Sequence, residues 1–344
     1  MNVAHFIRSE RFCIVGVALL MVVLFVANLF LGSVDIPAEA VWSVLVGGGD
    51  GVRESWRFIV MDSRLPQTLT ALLCGAALAV GGLMLQTVFR NPLAGPSILG
   101  IDSGASLGVA LVMLLSGGSL MAGKMALGGF LAVTVAAFVG AMVVMGLLLF
   151  FSTLLRSDVM LLIVGVMIGY VSSSLISLLN FFSTAEGVHS YMVWGMGSFG
   201  GVSMDQMPWF ALLVMGGLVL SLILVKPLNA LLLGYQYAAN LGVNVRRTRL
   251  FLLLATGVLS AATTAFCGPV SFLGLAVPHV ARLILRKADH KLLMPLTLLL
   301  GSAVALLCNI LCVLPGDKGI IPLGAITPLM GTPIILYVLL RGRK

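Results

Sequence analysis

Charge is what this 344-residue sequence has least of: Asp, Glu, Lys and Arg make up 9% of it, against about 25% in a soluble domain. Only 12 residues are acidic, while 60% are hydrophobic and the mean hydropathy is +1.15. That balance excludes a soluble globular protein and reads as an integral membrane protein. Cysteine is scarce too: Cys13, Cys74, Cys267, Cys308 and Cys312 fall inside or at the ends of apolar runs, with no CxxC pair and no His nearby at ligand spacing. They read as small membrane-helix residues rather than disulfides or metal ligands. The 40 glycines and 13 prolines carry no message of disorder, because both are common in membrane helices.

Catalytic patterns are also missing. There is no G-x-x-x-x-G-K-[ST] phosphate loop, so the chain has no Walker-type site for ATP. There is no HExxH, no exposed Ser-His-Asp pattern and no carboxylate pair, which argues against an intramembrane enzyme. Every Asp and Glu is expected near a span end, Asp102 being the closest to an exception. A proton- or sodium-coupled carrier places ionisable groups at mid-depth, where each costs about 2.5–3.5 kcal/mol on the insertion scale. A path that takes its energy from elsewhere fits better.

What is present is a series of apolar runs. Breaks at charged or Gly/Pro-rich stretches predict ten spans, at 12–31, 66–88, 97–116, 125–152, 159–180, 207–226, 249–267, 271–286, 292–314 and 322–340. The first is expected to be a retained helix rather than a cleaved leader, since no A-x-A site closes it. Segment 189–205 is too short and glycine-rich to cross and is expected to form a short outer helix. With the N-terminus inside, fifteen of the 20 Lys and Arg fall on the cytoplasmic side. Arg53, Arg57, Arg64, Lys124 and Lys318 fall outside with most of the acids. Both termini are therefore expected in the cytoplasm. Gly104 with Gly108, Gly165 with Gly169 and Gly197 with Gly201 are GxxxG spacings, expected to mark close contacts within the chain. The 18 methionines read as flexible packing.

One polar interruption stands out, "GYQYAANLGVNVRRTR" at 234–249. At helical spacing Leu231, Tyr235, Ala238, Gly242 and Val245 share one face, and Gln236, Asn240, Asn244 and Arg247 another. Gly242 is expected to break it into two short helices. It reads equally as an amphipathic loop on the membrane surface or as a docking helix presented to a soluble partner.

This stretch resembles the cytoplasmic coupling segment of the iron-chelate and cobalamin permeases of ATP-binding cassette (ABC) importers, the FecCD type. Gly234, Ala238, Leu241, Gly242 and Val243 match the family's G-x-x-x-A-x-x-L-G-V core. "RLPQTLTALLCGAALAVGGLMLQTVFRNPLAGPSILGIDSGASLG" (64–108), "WGMGSFGGVS" (194–203), "GPVSFLGLAVPHVARL" (268–283) and "IPLGAITPLMGTPIILYVLLR" (321–341) resemble further family stretches in the same order.

The resemblance implies a single all-α permease domain over 1–344 with ten transmembrane helices, paired with a second permease subunit, which we expect to be another copy. It also implies two ATP-binding subunits and a periplasmic binding protein, in the bacterial inner membrane. The chain itself would then be no enzyme and carry no cofactor, ATP and Mg belonging to the partner ATPase. Nucleic acid is not an expected partner, whereas membrane lipid is. Residues 229–247 would be the mechanical input, with Tyr235, Arg246 and Arg247 beside the matched positions. The family's path falls here on Ser173, Ser177, Asn180, Ile326, Thr327 and Met330, although Ser and Thr also commonly bond back to their own helix. Its cytoplasmic constriction falls on Asn91, Leu93, Ser157 and Asp158, although Asn91-Pro92 is also a natural helix stop. Arg64, with Lys318 in a neighbouring loop, fits binding-protein docking, while Gln67 departs from the family by replacing a second Arg. His279, Arg282 and Arg286 read first as topology anchors, with packing or contact with the ATPase as the second reading. The cargo implied is a ferric siderophore, with haem or cobalamin as alternatives; a self-contained carrier is the competing class.

Overall fold

The computed structural model describes residues 3–47, 52–115, 126–155, 157–314, 316 and 319–341. They form fifteen α-helices and, among the described residues, no strand. In chain order the helices are α1 Val3–Phe30, α2 Ala38–Val46, α3 Glu54–Phe58, α4 Leu65–Val88, α5 Ile101–Leu115, α6 Ala126–Leu154, α7 Asp158–Phe182 and α8 Ala185–Gly195. They continue with α9 Met207–Ile223, α10 Val225–Leu232, α11 Tyr235–Asn240, α12 Val245–Cys267, α13 Leu273–Leu285, α14 His290–Val313 and α15 Leu323–Arg341. Six helices are long and apolar enough to cross a membrane, and α9 with α10, bent by 50°, makes a seventh. The shorter apolar α5, α13 and α15 stand where the remaining expected spans fall.

The axis of the bundle is α4, which packs on α14, α12, α13 and α9. Helix α4 is almost wholly buried, whereas α7 and α1 are largely exposed, which places the latter two at the rim. Lipid gives no hydrophobic drive for helices to associate, so close packing has to hold them, and small residues permit it. A Cβ on Gly82 would stand 1.7 Å from the Gly274 carbonyl oxygen of α13, and one on Gly75 2.2 Å from that of Gly301 of α14. The expected GxxxG contacts are within the chain: Gly104 and Gly108 meet Gly140 and Ala136 of α6, and Gly165 meets the backbone of Leu99.

Several boundaries differ from the sequence reading. The loop after α1 is itself helical, in α2 and α3, and a π-helical turn, Ile59–Arg64, runs α3 into α4. Helix α8 starts at residue 185 rather than near 189, because the Thr184 hydroxyl caps it by accepting from the Gly187 N–H at 3.2 Å. A 3-10 turn, Phe199–Gly201, completes that segment.

The largest departure follows α4. Arg90 takes a positive φ of 45° and stops the helix; the chain then turns back through the 3-10 turn Pro96–Leu99. Gly100, at φ 74°, lets α5 begin against α7: a Cβ there would lie 2.7 Å from the Gly165 carbonyl oxygen. The 15 residues of α5 span only about 22 Å, short of a hydrocarbon core of about 30 Å. Asp102, in its first turn, is thereby carried into the bundle. Ser260 and Thr264, well past the middle of α12, each donate to its Oδ1 at 2.9 Å. The expectation that every acid lies near the end of a span therefore fails at Asp102 in depth. A buried carboxylate must be hydrogen-bonded, and two α12 hydroxyls do so.

Candidate functional site

The polar interruption folds as three pieces. Helix α10 ends at Leu232, and Gly234, at φ 112°, turns the chain into the single helical turn of α11. Gly242, at φ 82°, closes that turn: its N–H donates to Ala239 O at 2.9 Å and the Val243 N–H to Ala238 O at 3.0 Å. The positive φ explains why glycine stands at both points. Asn244 then caps α12, its Oδ1 accepting from the Arg247 N–H at 3.0 Å. The expected break at Gly242 is present, with a second at Gly234. The two faces separate in part: Leu231 and Ala238 are buried and Tyr235 and Val245 half-buried, but Gly242 is exposed, as are Gln236, Asn240, Asn244 and Arg247. Leu241 is 59% exposed at the tip and Arg246 is exposed beside it.

Tyr235 ties this segment to the two helices that carry the expected constriction. Its hydroxyl lies 2.6 Å from Val88 O at the end of α4 and bonds Asp158 Oδ2 at the start of α7. Arg249 of α12 pairs with Asp158 at 3.4 Å, their side chains being only 13% and 16% exposed. The Arg90 guanidinium sits 4.6 Å from the centre of the Tyr235 ring and its Nη2 reaches Leu231 O at 3.4 Å. Burial, then the hydrogen bond and charge of Asp158, push the Tyr235 phenol well above its ordinary pKa. It thus stays a proton donor at physiological pH, and four elements meet at one phenol–carboxylate contact.

The flanking positions lock the same end. Ser157 caps α7, accepting from the Met160 N–H at 3.5 Å. Asn91 Oδ1 accepts from the Leu93 N–H at 2.9 Å, which fixes the turn after α4 and leaves Leu93 exposed. Asn229 of α10 donates to Asp289 Oδ1 at 2.6 Å and accepts from the His290 N–H at 2.8 Å; His290 Nε2 lies 2.9 Å from Thr87 Oγ1 of α4. His279 and Arg282 pack inward: His279 Nε2 lies 2.7 Å from Pro92 O in the turn after α4 and Arg282 donates to Gln86 Oε1 of α4, which favours the packing role over the anchor. Arg286 alone of the three is exposed.

Arg64 is corrected as a docking residue. It is 5% exposed, and its guanidinium donates to Leu29 O at 3.0 Å, Phe30 O at 2.7 Å and Val34 O. It closes the carbonyl end of α1 and has no free face for a partner. Gln67 is half-buried and donates to Asn309 Oδ1 at 2.9 Å; Asn309 in turn reaches Asn28 at 2.8 Å. Lys318 lies outside the described residues.

The expected path residues do not converge within one chain. Ser173 and Ser177 are exposed on the rim face of α7, and Ser177 donates back to Ser173 O at 3.0 Å. Asn180 is half-buried, its Oδ1 without a partner among the described residues. In α15 Ile326 and Met330 are half-buried, whereas Thr327 is buried and donates to Leu323 O at 3.2 Å. Sequence reasoning missed Arg90 and Arg249, which it counted only as topological charge, although each sits beside a residue it singled out.

The chain resembles known proteins over nearly its whole length. The chain is 33% identical over 336 residues to the vitamin B12 import system permease protein BtuC of Klebsiella pneumoniae, covering 98% of this chain and 96% of that one. It is 35% identical over 299 residues to BtuC of Escherichia coli O9:H4, covering 87% and 89%. A solved structure reported as an inward-facing conformation of a metal-chelate type ABC transporter superposes with a TM-score of 0.81 at 27% identity, over 95% of this chain and 98% of that one. The sequence profile of the FecCD transport family matches residues 20–341, and the chain belongs to that family.

Proposed function

We propose that this protein is the membrane-spanning permease subunit of an ABC importer that moves a ferric siderophore inward across the bacterial inner membrane. Family membership carries the general statement, a multi-pass permease of the FecCD type. The finer reading has two copies side by side, both termini in the cytoplasm, two separate ATP-hydrolysing chains on the coupling segments and a periplasmic protein delivering the chelate. The observation that supports it best is the contact of Tyr235 with Val88 O and Asp158. A displacement of α11 by a docked ATPase is felt at once at the inner ends of α4 and α7. The exposed Ser173 and Ser177 stripe would complete a weakly polar path only when a second copy faces it. Such a path suits a bulky chelate that must slide rather than be gripped.

Cobalamin is the second reading, favoured because the relatives above are named as vitamin B12 permeases. Uptake by proteoliposomes holding the permease, its ATPase and its binding protein decides between them. Uptake of ferric siderophore and not of cobalamin supports the first reading, and the reverse supports the second. Accumulation of either without ATPase or ATP would instead favour a self-contained carrier.

A further inference from the structure

Beside the coupling segment lies a cavity of about 610 Å³, walled by Ser152 and Thr153 of α6, Tyr235 and Gln236 of α11, and Arg246 and Arg249 of α12. Its lining holds two arginines and no acid, with Asp158 standing behind Tyr235 and Arg249. No acid stands in the first turn of α12, and the arginines sit at the helix end whose dipole is already positive. Asp158 answers Arg249 only through Nη1, at 3.4 Å. Arg249 Nε and Nη2 are buried with no acceptor among the described residues. Those two nitrogens have no accessible surface, so an anion in the cavity would meet exposed Arg246 and the remaining, cavity-lining part of Arg249.

The wall of α6 indicates where that anion comes from. Just before Ser152 and Thr153, α6 presents Leu147 and Phe150 outward, with Leu154 following, all exposed and apolar. A headgroup seated among the hydroxyls, the Gln236 amide and the arginines could run its acyl chains along that face. Basic pockets at the membrane boundary take anionic lipid headgroups by this combination of charge and apolar wall. We propose that this cavity binds the phosphate of an anionic phospholipid, which links the end of α6 to the coupling segment. The proposal rests on the membrane location and does not depend on which chelate is carried.

The full-length chain, purified and placed in mixed micelles, is titrated with phosphatidylglycerol, phosphatidylcholine or inorganic phosphate. Bound lipid is read by native mass spectrometry and folding by thermal unfolding. Phosphatidylglycerol is expected to be retained about tenfold more strongly than phosphatidylcholine, as a bidentate charge-assisted contact implies. Arg246→Gln and Arg249→Gln should each bring the two lipids close to parity, while Arg286→Gln, on the same end but outside the cavity, should keep the preference. Arg246 is exposed, so its variant carries the test if Arg249→Gln does not fold. Equal retention of both lipids, or an unchanged preference in Arg246→Gln, overturns the proposal. Displacement by millimolar inorganic phosphate retains the phosphate site but overturns its lipid source. Loss of the lipid when ATPase chains assemble on the permease gives the cavity to a protein carboxylate and overturns the proposal as well.

Discussion

At the scale of single residues, Tyr235, Asp158 and Arg64 carry the sharpest expectations. Tyr235→Phe keeps the ring beneath Arg90 but removes the donor shared between Val88 O and Asp158. Stranding partly buried acceptors costs about 1–3 kcal/mol, so thermal unfolding should show a modest loss of stability. Combined with Asp158→Asn in a double-mutant cycle, the pair should show coupling of about 0.5–3 kcal/mol, whereas simple additivity would mean the contact carries no energy. Arg64→Lys should destabilise almost as much as Arg64→Ala, because an ammonium cannot serve three carbonyls in a planar fork. A loss of about 1–3 kcal/mol per stranded carbonyl, with binding-protein affinity unchanged in the protein that still folds, would confirm Arg64 as a closure of α1. Sequence alone could not separate these cases. An arginine just before an apolar run looks the same whether it faces a partner or curls back onto the preceding helix, and only the path of α1 through α3 decides.

At the scale of elements, the crossing of α4 and α13 has no slack. Gly82→Ala would drive a methyl to 1.7 Å from a backbone carbonyl oxygen, which no side-chain rotation relieves, and should abolish folded protein in size-exclusion and thermal assays. Gly81→Ala, whose new methyl would find its nearest neighbour at 3.5 Å, should fold normally. If both variants behave alike, the crossing is looser than described. Helix existence was legible from apolar runs, and the break at Gly242 from a single glycine in a polar stretch. The start of α5 was not. Its depth depends on Arg90 and Gly100 taking positive φ so that the chain re-enters, and no hydropathy window registers that. Asp102 consequently looked like a residue at the end of a span.

At the scale of the whole molecule, one chain is a bundle with a tight axis and an uncovered rim. The exposed α7 face, with Val171, Leu175 and Leu178 beside the serine stripe, is where our reading places a second copy and the path. Ser173→Cys and Ser177→Cys should then react with a hydrophilic thiol reagent in the assembled importer and be protected by the transported chelate. Cysteines that stay inert with and without chelate would remove these residues from the path. The polar stretch at 234–249 was legible because its motif is local, while the hub was not: Arg90, Asp158, Tyr235 and Arg249 are brought together only by the fold of separate elements. The most direct test is the ratio of chelate taken up to ATP hydrolysed in proteoliposomes bearing the full importer, wild type against Asp158→Asn. A phenol–carboxylate hub that passes motion to α4 and α7 predicts that this ratio falls about tenfold, roughly 1.4 kcal/mol of coupling, while ATPase assembly is retained. An unchanged ratio in a correctly assembled complex would contradict it.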